Sequence, residues 1–156
     1  MYWLLSTDHI THYRYLVLVT GRVLTTNCYK GIHMITLRYI DNADNCAEKT
    51  ISFSTNRGLN VSSRDLHRVS FENMTIQDSD FSHCGLRNAN FTGATFINCD
   101  FTGASLINIH SEQVTFKNCI FDNAKFYSIT LINSSMIGCR FLESEMHRFD
   151  MVSNNV

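Results

Sequence analysis

What this chain has little of narrows its function before any motif is considered. Charged residues make up 17% of the 156, below the usual share of about a quarter, and the formal net charge is −1. From Val61 onward seven Lys/Arg face ten Asp/Glu, while the first sixty residues carry six against four. Neither half holds the basic patch that nucleic-acid binding requires. Long apolar runs are missing as well. The opening Met1-Tyr2-Trp3-Leu4-Leu5 has no positive flank and is too short for a signal peptide. The longest aliphatic stretch, Leu16 to Val19, falls far short of the roughly twenty residues of a membrane span. Nucleic acid and a membrane span are therefore not expected.

What is present is a rhythm. Stepping by five from Val61 meets Leu66, Phe71, Ile76, Phe81, Leu86, Phe91, Phe96, Phe101 and Leu106. After Ser111 the series resumes with Phe116, Phe121, Phe126, Leu131, Met136, Phe141, Met146 and Met151. Two places before each, from Val69 through Cys84, Cys99, Cys119 and Cys139 to Phe149, the residues are small or apolar, with Arg64 the one misfit. Self-similarity at a fixed period signals a stacked, quasi-one-dimensional fold. A step of five fits neither a plain helix nor a plain strand. Two inward residues spaced two apart do fit one face of a short extended segment. The remaining three must then turn a corner, and the second place after each central residue reads Asn73, Asp78, His83, Asn88, Gly93, Asn98 and so on, rich in residues that tolerate turns.

Pentapeptides such as Ala89-Asn90-Phe91-Thr92-Gly93 and Cys99-Asp100-Phe101-Thr102-Gly103 resemble the pentapeptide-repeat family, whose loose pattern is Ala-(Asp/Asn)-Leu-X-X. The resemblance covers roughly the last three-fifths of the chain. It implies an all-β, right-handed quadrilateral parallel β-helix with four pentapeptides per coil, so that residues twenty apart stack. Phe81, Phe101, Phe121 and Phe141 would form one interior aromatic ladder, and Ser79, Cys99, Cys119 and Cys139 a neighbouring ladder of small residues. Ser111 would place a hydroxyl between Phe91 and Leu131. Either it bonds to the backbone or the register slips there.

Residues 1–60 do not follow the rule. Tyr13 to Val19 and Arg22 to Thr26 read as strands about a Thr20-Gly21 turn. Ile32 to Ile40 follows Lys30-Gly31, and a loop over Asp41 to Asn45 precedes a strand over Thr50 to Ser54. This segment reads as a small antiparallel β N-terminal cap on a repeat domain of residues 61–156, because an open strand stack needs its ends covered. After Phe149 too few residues remain for a stable capping helix, so the last coil is expected to expose a strand edge.

Candidate chemistry is sparse. His9 and His12 lack a Cys or acidic partner nearby, so no metal site is read from them. In His83-Cys84 the thiol falls on an inward position and the imidazole at a corner, which packing explains. Of the six cysteines, Cys28, Cys46, Cys84, Cys99, Cys119 and Cys139, three share the inward ladder; they read as reduced packing residues of a reducing compartment. No nucleophile, acid–base pair or phosphate loop stands out, and no cofactor is implied. The expected function is a non-catalytic protein-binding module. Its candidate binding residues are the outward apolar Ile97, Ile107, Tyr127, Ile132 and Ile137, with Ile120 and Leu142 nearby. A homodimer through the C-terminal edge is a further expectation. Some family members resemble B-form DNA and protect topoisomerases such as gyrase, but here the acidic column of Asp80 and Asp100 continues as Ile120 and Arg140. Another branch comprises effectors that enteric pathogens inject into host cells. The resemblance thus allows a bacterial cytoplasmic scaffold or an effector secreted without a cleavable signal peptide.

Overall fold

The computed structural model describes residues 12–19, 22–29, 32–33, 35–41 and 47–153, and their regular structure is strand throughout. Strands β1 (His12–Val19), β2 (Arg22–Tyr29) and β3 (Ile32–His33) pair antiparallel in chain order. Strands β4 (Ile35–Asp41) and β5 (Ala47–Phe53) form a separate antiparallel hairpin. The single strand expected over Ile32 to Ile40 is therefore two strands in different sheets, because β3 stays with β2 while β4 leaves to pair with β5. That pairing also starts β5 at Ala47 rather than Thr50. The Thr20-Gly21 and Lys30-Gly31 turns and the loop after Asp41 lie outside the described residues.

From Arg57 onward every parallel pairing joins residues twenty apart, beginning with Arg57 to Gln77 and Asn60 to Asp80. One parallel sheet stacks β6 (Thr75–Gln77), β7 (Thr95–Ile97), β9 (Thr115–Lys117) and β11 (Ser135–Ile137). The other stacks β8 (Ser105–Glu112), β10 (Lys125–Ile132) and β12 (Glu145–Val152). The corners obey the same step. Every fifth residue from Gly58 to Arg148 has positive φ, between 47° and 69°. Asn, Asp and Gly adopt this conformation readily, yet Arg68, Gln113, Glu143 and Arg148 adopt it too, so the coil overrides local preference. At Gly93 a Cβ would stand 2.2 Å from Asn73 Oδ1 in the coil before, so glycine lets the Asn73 side chain keep its place against that corner. Four such corners per twenty residues close a quadrilateral coil. Asn108, Ser128 and Arg148 are corners inside β8, β10 and β12, so each of those strands serves two adjacent sides.

The central series fills the interior. Phe81, Phe101 and Phe121 are fully buried, and their rings stack at 5.0 Å with interplanar angles of 8° and 11°; Phe121 and Phe141 continue at 5.3 Å. A second column, Phe96 on Phe116 at 5.2 Å, meets the first edge-on at 79° and 86°. Rings thus lie parallel along the axis and edge-to-face across it, which sets positive ring edges against negative faces. Ser111 keeps the register, pairing with Leu131, and its buried hydroxyl accepts the Phe91 N–H at 3.1 Å.

Serine and cysteine in the inward ladder have a related task. At many inward positions the N–H closes a turn to the carbonyl three residues back, as Ala94 does to Phe91 (2.8 Å) and Ala104 to Phe101 (2.9 Å). Leu59 and Val114 instead donate to Ser79 Oγ (3.0 Å) and Ser134 Oγ (2.9 Å) in the next coil. Ser79 and Cys99 N–H groups reach the thiols of Cys99 and Cys119 in the same way. A side-chain acceptor there satisfies a backbone donor that alanine would leave buried and unpaired.

The lower edge is covered. Leu37 and Tyr39 of β4 are buried in one core with Leu59, Val61 and Leu66, and Ile40 N–H donates to His67 C=O at 2.7 Å. The β4–β5 hairpin therefore caps the first coil.

Candidate interaction surface

The five outward residues singled out above fall on three sides of the coil. Ile97 on β7 and Ile137 on β11 share a column interrupted by Lys117 on β9. Ile107 on β8 and Tyr127 on β10 are register partners, continued by His147 on β12. Ile132 lies between Glu112 and Val152, around the corner of the same sheet. The register thus pairs Ile107 with Tyr127, sets Ile132 on the adjacent side of the same bent sheet, and leaves Ile97 and Ile137 apart from them. Four of the five are half-buried; Ile137 is exposed.

Apolar exposure concentrates at the end of the stack. Leu142 is 62% exposed, Ile137 55%, and Met146, Met151 and Val152 between 42% and 45%. Phe141, Phe149, Met136 and Cys139 are only partly covered, whereas Phe121, Ile129, Phe116 and Cys119 one coil earlier are buried. Among the described residues β12 pairs with β10 alone, so its other edge is open. Among the described residues methionine tops three of the four central columns, at Met136, Met146 and Met151, and supplies a soft, adaptable surface.

Polar groups along the coils are tied down. Asn60, Asp80, Asn90 and Asp100 each accept, through Oδ1, the N–H two residues on, at 2.8–3.2 Å. The carboxylates of Asp80 and Asp100 are therefore turn-forming groups. Their column continues as Ile120 and Arg140. Arg140 cannot accept, and Asp122 from the coil below takes over: Oδ1 accepts Leu142 N–H and Arg140 Nε at 3.0 Å, with Arg140 Nη2 2.6 Å from Oδ2. The Arg140 hydrogen bond holds the Asp122 carboxyl below its ordinary range. At another corner Asn98 donates to Asp78 at 2.9 Å, Arg57 pairs with the same carboxylate, and both lower its pKa. Tyr127 OH donates to the Glu145 carboxylate, which pushes the phenol up, and its ring meets His147 edge-on at 5.0 Å. Sequence reasoning missed Asp122. Its signal was an aspartate eighteen residues before an arginine that occupies a turn-forming position.

The thiols take part in packing. Cys84, Cys99, Cys119 and Cys139 are free, the first three buried and Cys139 half-buried. Burial pushes Cys84 up to about 11, and its Sγ donates to Val61 C=O at 2.9 Å. The imidazole of His83 lies over Gly103 in the next coil, away from that thiol's bond. Cys139 is pushed up by the Cys119 thiol and by burial. His9 is outside the described residues, and His12 lies on β1. Among the described residues no group of three or more His, Cys, Asp or Glu is placed to hold a metal ion, and no helix is long and apolar enough to cross a membrane.

The profile described as pentapeptide repeats matches residues 65–103 and 96–131, with eight copies. Residues 65–131 of the coil are pentapeptide repeats. Among solved pentapeptide-repeat and related structures, QnrB1, described as a plasmid-mediated fluoroquinolone resistance protein, aligns at 20% identity and TM-score 0.55. That alignment covers 64% of this chain and 53% of QnrB1, so it spans about half of that protein's length and shows the shared fold. HetL, a pentapeptide repeat protein involved in heterocyst differentiation regulation from the cyanobacterium Nostoc, aligns at 14% identity over 57% of this chain and 37% of its own, with a TM-score of 0.32. No curated protein matches the chain in sequence.

Proposed function

We propose that this pentapeptide-repeat chain is a non-catalytic module that binds protein through its terminal coil and the adjoining β8–β10–β12 face. One observation carries the reading: the large exposed apolar side chains cluster at the end of the stack, around the open edge of β12. A contiguous apolar surface on an otherwise covered solenoid marks a contact site. Ile107, Tyr127 and Ile132 extend it along the sheet, and Ile97 and Ile137 offer a second, flanking contact.

A divergent, Asn-rich repeat segment behind a small β region supports a secreted bacterial effector, or a fragment of one, working inside a host cell. A bacterial cytoplasmic scaffold would use the same surface. The DNA-mimic reading, protection of gyrase, has less support, because Asp80 and Asp100 serve turns and Ile120 and Arg140 follow them. The test is pull-down from bacterial and host lysates with wild type and with Ile107→Glu, Tyr127→Glu, Ile132→Lys, Ile97→Lys and Ile137→Lys. Loss of a captured protein with an unchanged circular dichroism spectrum is the expected result. Variants that bind every partner normally, or turnover of a substrate by the pure protein, would defeat the reading. Salt-sensitive inhibition of DNA binding by a topoisomerase would favour the DNA mimic instead.

A further inference from the structure

Charge is segregated around the coil. Between Val61 and Asn133 the chain holds five Lys/Arg, and four of them, Arg64, Arg68, Arg87 and Lys125, fall on the side that carries Ile107 and Tyr127. Of the seven Asp/Glu in the same span, Asp65 alone shares that side, and its Oδ1 leans over Gly85. Asp80, Asp100 and Asp122 occupy the preceding side, and Glu72 and Glu112 the following one. Backbone bonds fix the order. Arg68 N–H donates to Arg87 C=O (2.9 Å), Gly85 N–H to Arg64 C=O (2.9 Å), and Asn88 N–H to Ile107 C=O (2.9 Å). Ile107 then pairs with Tyr127, and Lys125 with Ser105. Arg87, Ile107 and Tyr127 therefore form one outward column with a step of about 4.8 Å, and Arg64 and Arg68 flank its foot. Cations elsewhere on the rod are matched, Arg57 by Asp78 and Arg140 by Asp122. Among the described residues the side chains of Arg64, Arg68, Arg87 and Lys125 have no hydrogen-bond or ion-pair partner, and all four are exposed.

We infer that this side receives an acidic segment of a partner protein, with carboxylates over Arg64, Arg68 and Arg87 and apolar side chains over Ile107 and Tyr127. Three guanidinium groups on adjoining coils raise a local positive potential that a carboxylate-bearing partner relieves, and the planar fork of arginine suits a carboxylate. The spacing suits a helix. Side chains three or four residues apart on one helix face lie about 5–6 Å apart, close to the step between coils. An acidic residue on Arg87 then brings the next two positions of that face onto Ile107 and Tyr127. A nucleic acid fits the strip poorly, since it carries phosphate along its whole length. Beyond Arg87 the column turns apolar, and the two flanking sides hold Asp80 and Asp100 or Glu72 and Glu112. Glu145, register partner of Lys125 and acceptor of the Tyr127 hydroxyl, closes the strip at its far end. The inference rests on the proposed function and names the chemistry of the partner that this face takes.

Fluorescence anisotropy of the full chain with labelled helical peptides of about fifteen residues tests it. One peptide carries Glu and Leu on a single face, the second has Gln in place of Glu, and the third has Lys. The acidic peptide should bind tightest, and more weakly as salt rises from about 50 to about 300 mM. Arg68→Glu and Arg87→Glu should each weaken it roughly tenfold, with matching circular dichroism. Lys117→Glu changes the net charge equally on another side of the coil and should leave binding unchanged. Equal weakening by Lys117→Glu, or equal binding of the Gln peptide, overturns the inference. So does tighter binding of a single-stranded DNA oligonucleotide than of the acidic peptide. If the lysate partner is lost with Ile107→Glu and kept with Arg87→Glu, the interaction-module reading stands without this one. If the acidic peptide binds through Arg87 and no lysate partner depends on the face, the reverse holds.

Discussion

The coil through Phe121 and Phe126 and the coil through Phe141 and Met146 share one period, one register and one set of corner angles. They differ in neighbours. Phe121 has a ring below it and a ring above, and is fully buried; Phe141 has one below, and is partly covered. In a solenoid, then, a residue's environment is set by the coils on either side more than by its own identity. The interior coils store stability, and the last described coil leaves apolar surface uncovered.

Truncating the two phenylalanines should break the comparison open. Phe121→Ala should cost about 3–5 kcal/mol in urea unfolding, the usual range for a buried phenylalanine. Phe141→Ala should cost roughly 1–2 kcal/mol, since part of that ring already meets water. Equal losses would mean that the terminal coil is covered in solution. Ser111→Ala comes next. It leaves the Phe91 N–H buried without its acceptor, and should destabilise by about 1–3 kcal/mol despite adding apolar character.

A smaller effect separates the polar ties of the terminal coil. Asp122 titrates below its ordinary value because of Arg140 and the Leu142 N–H. Its contribution to stability is therefore complete above the unfolded carboxylate value of about 3.9 and is lost as pH falls toward the folded value. Unfolding midpoints measured from pH 6 to pH 2.5 should drop in that acid range, and less steeply for Asp122→Asn. Smallest of all is a difference in rate. Thiol labelling of native protein, read by peptide mapping, should modify Cys139 before Cys84, Cys99 and Cys119, because Cys139 alone of these four is half-open. Simultaneous labelling of all four would contradict the gradient in burial.

Much of this was legible in the chain. The five-residue series placed Phe81, Phe101 and Phe121 inside, and the Asn/Gly positions marked the corners. Periodicity reports which residues face inward, however, and says nothing of which backbone donors the coil leaves unpaired. The acceptor roles of Ser79, Ser111 and Ser134 emerge only once residues twenty apart are stacked. Asp122 was hidden for the same reason, as its partners lie in the next coil. The outward apolar residues were identified singly, but whether Ile107, Tyr127 and Ile132 share a face depends on where the corners fall. The docking of Ile40 against His67 joins segments with unrelated patterns, and no local signal announces it.

The hairpin that covers the first coil also decides what these rods can build. A stack with two open ends could add copies head to tail without limit, the geometry of a fibre. With β4 seated on the first coil, growth from that end is blocked. Removing the hairpin should therefore change the tendency to aggregate as well as the stability of the fold, because it uncovers an edge onto which strands of other chains can add.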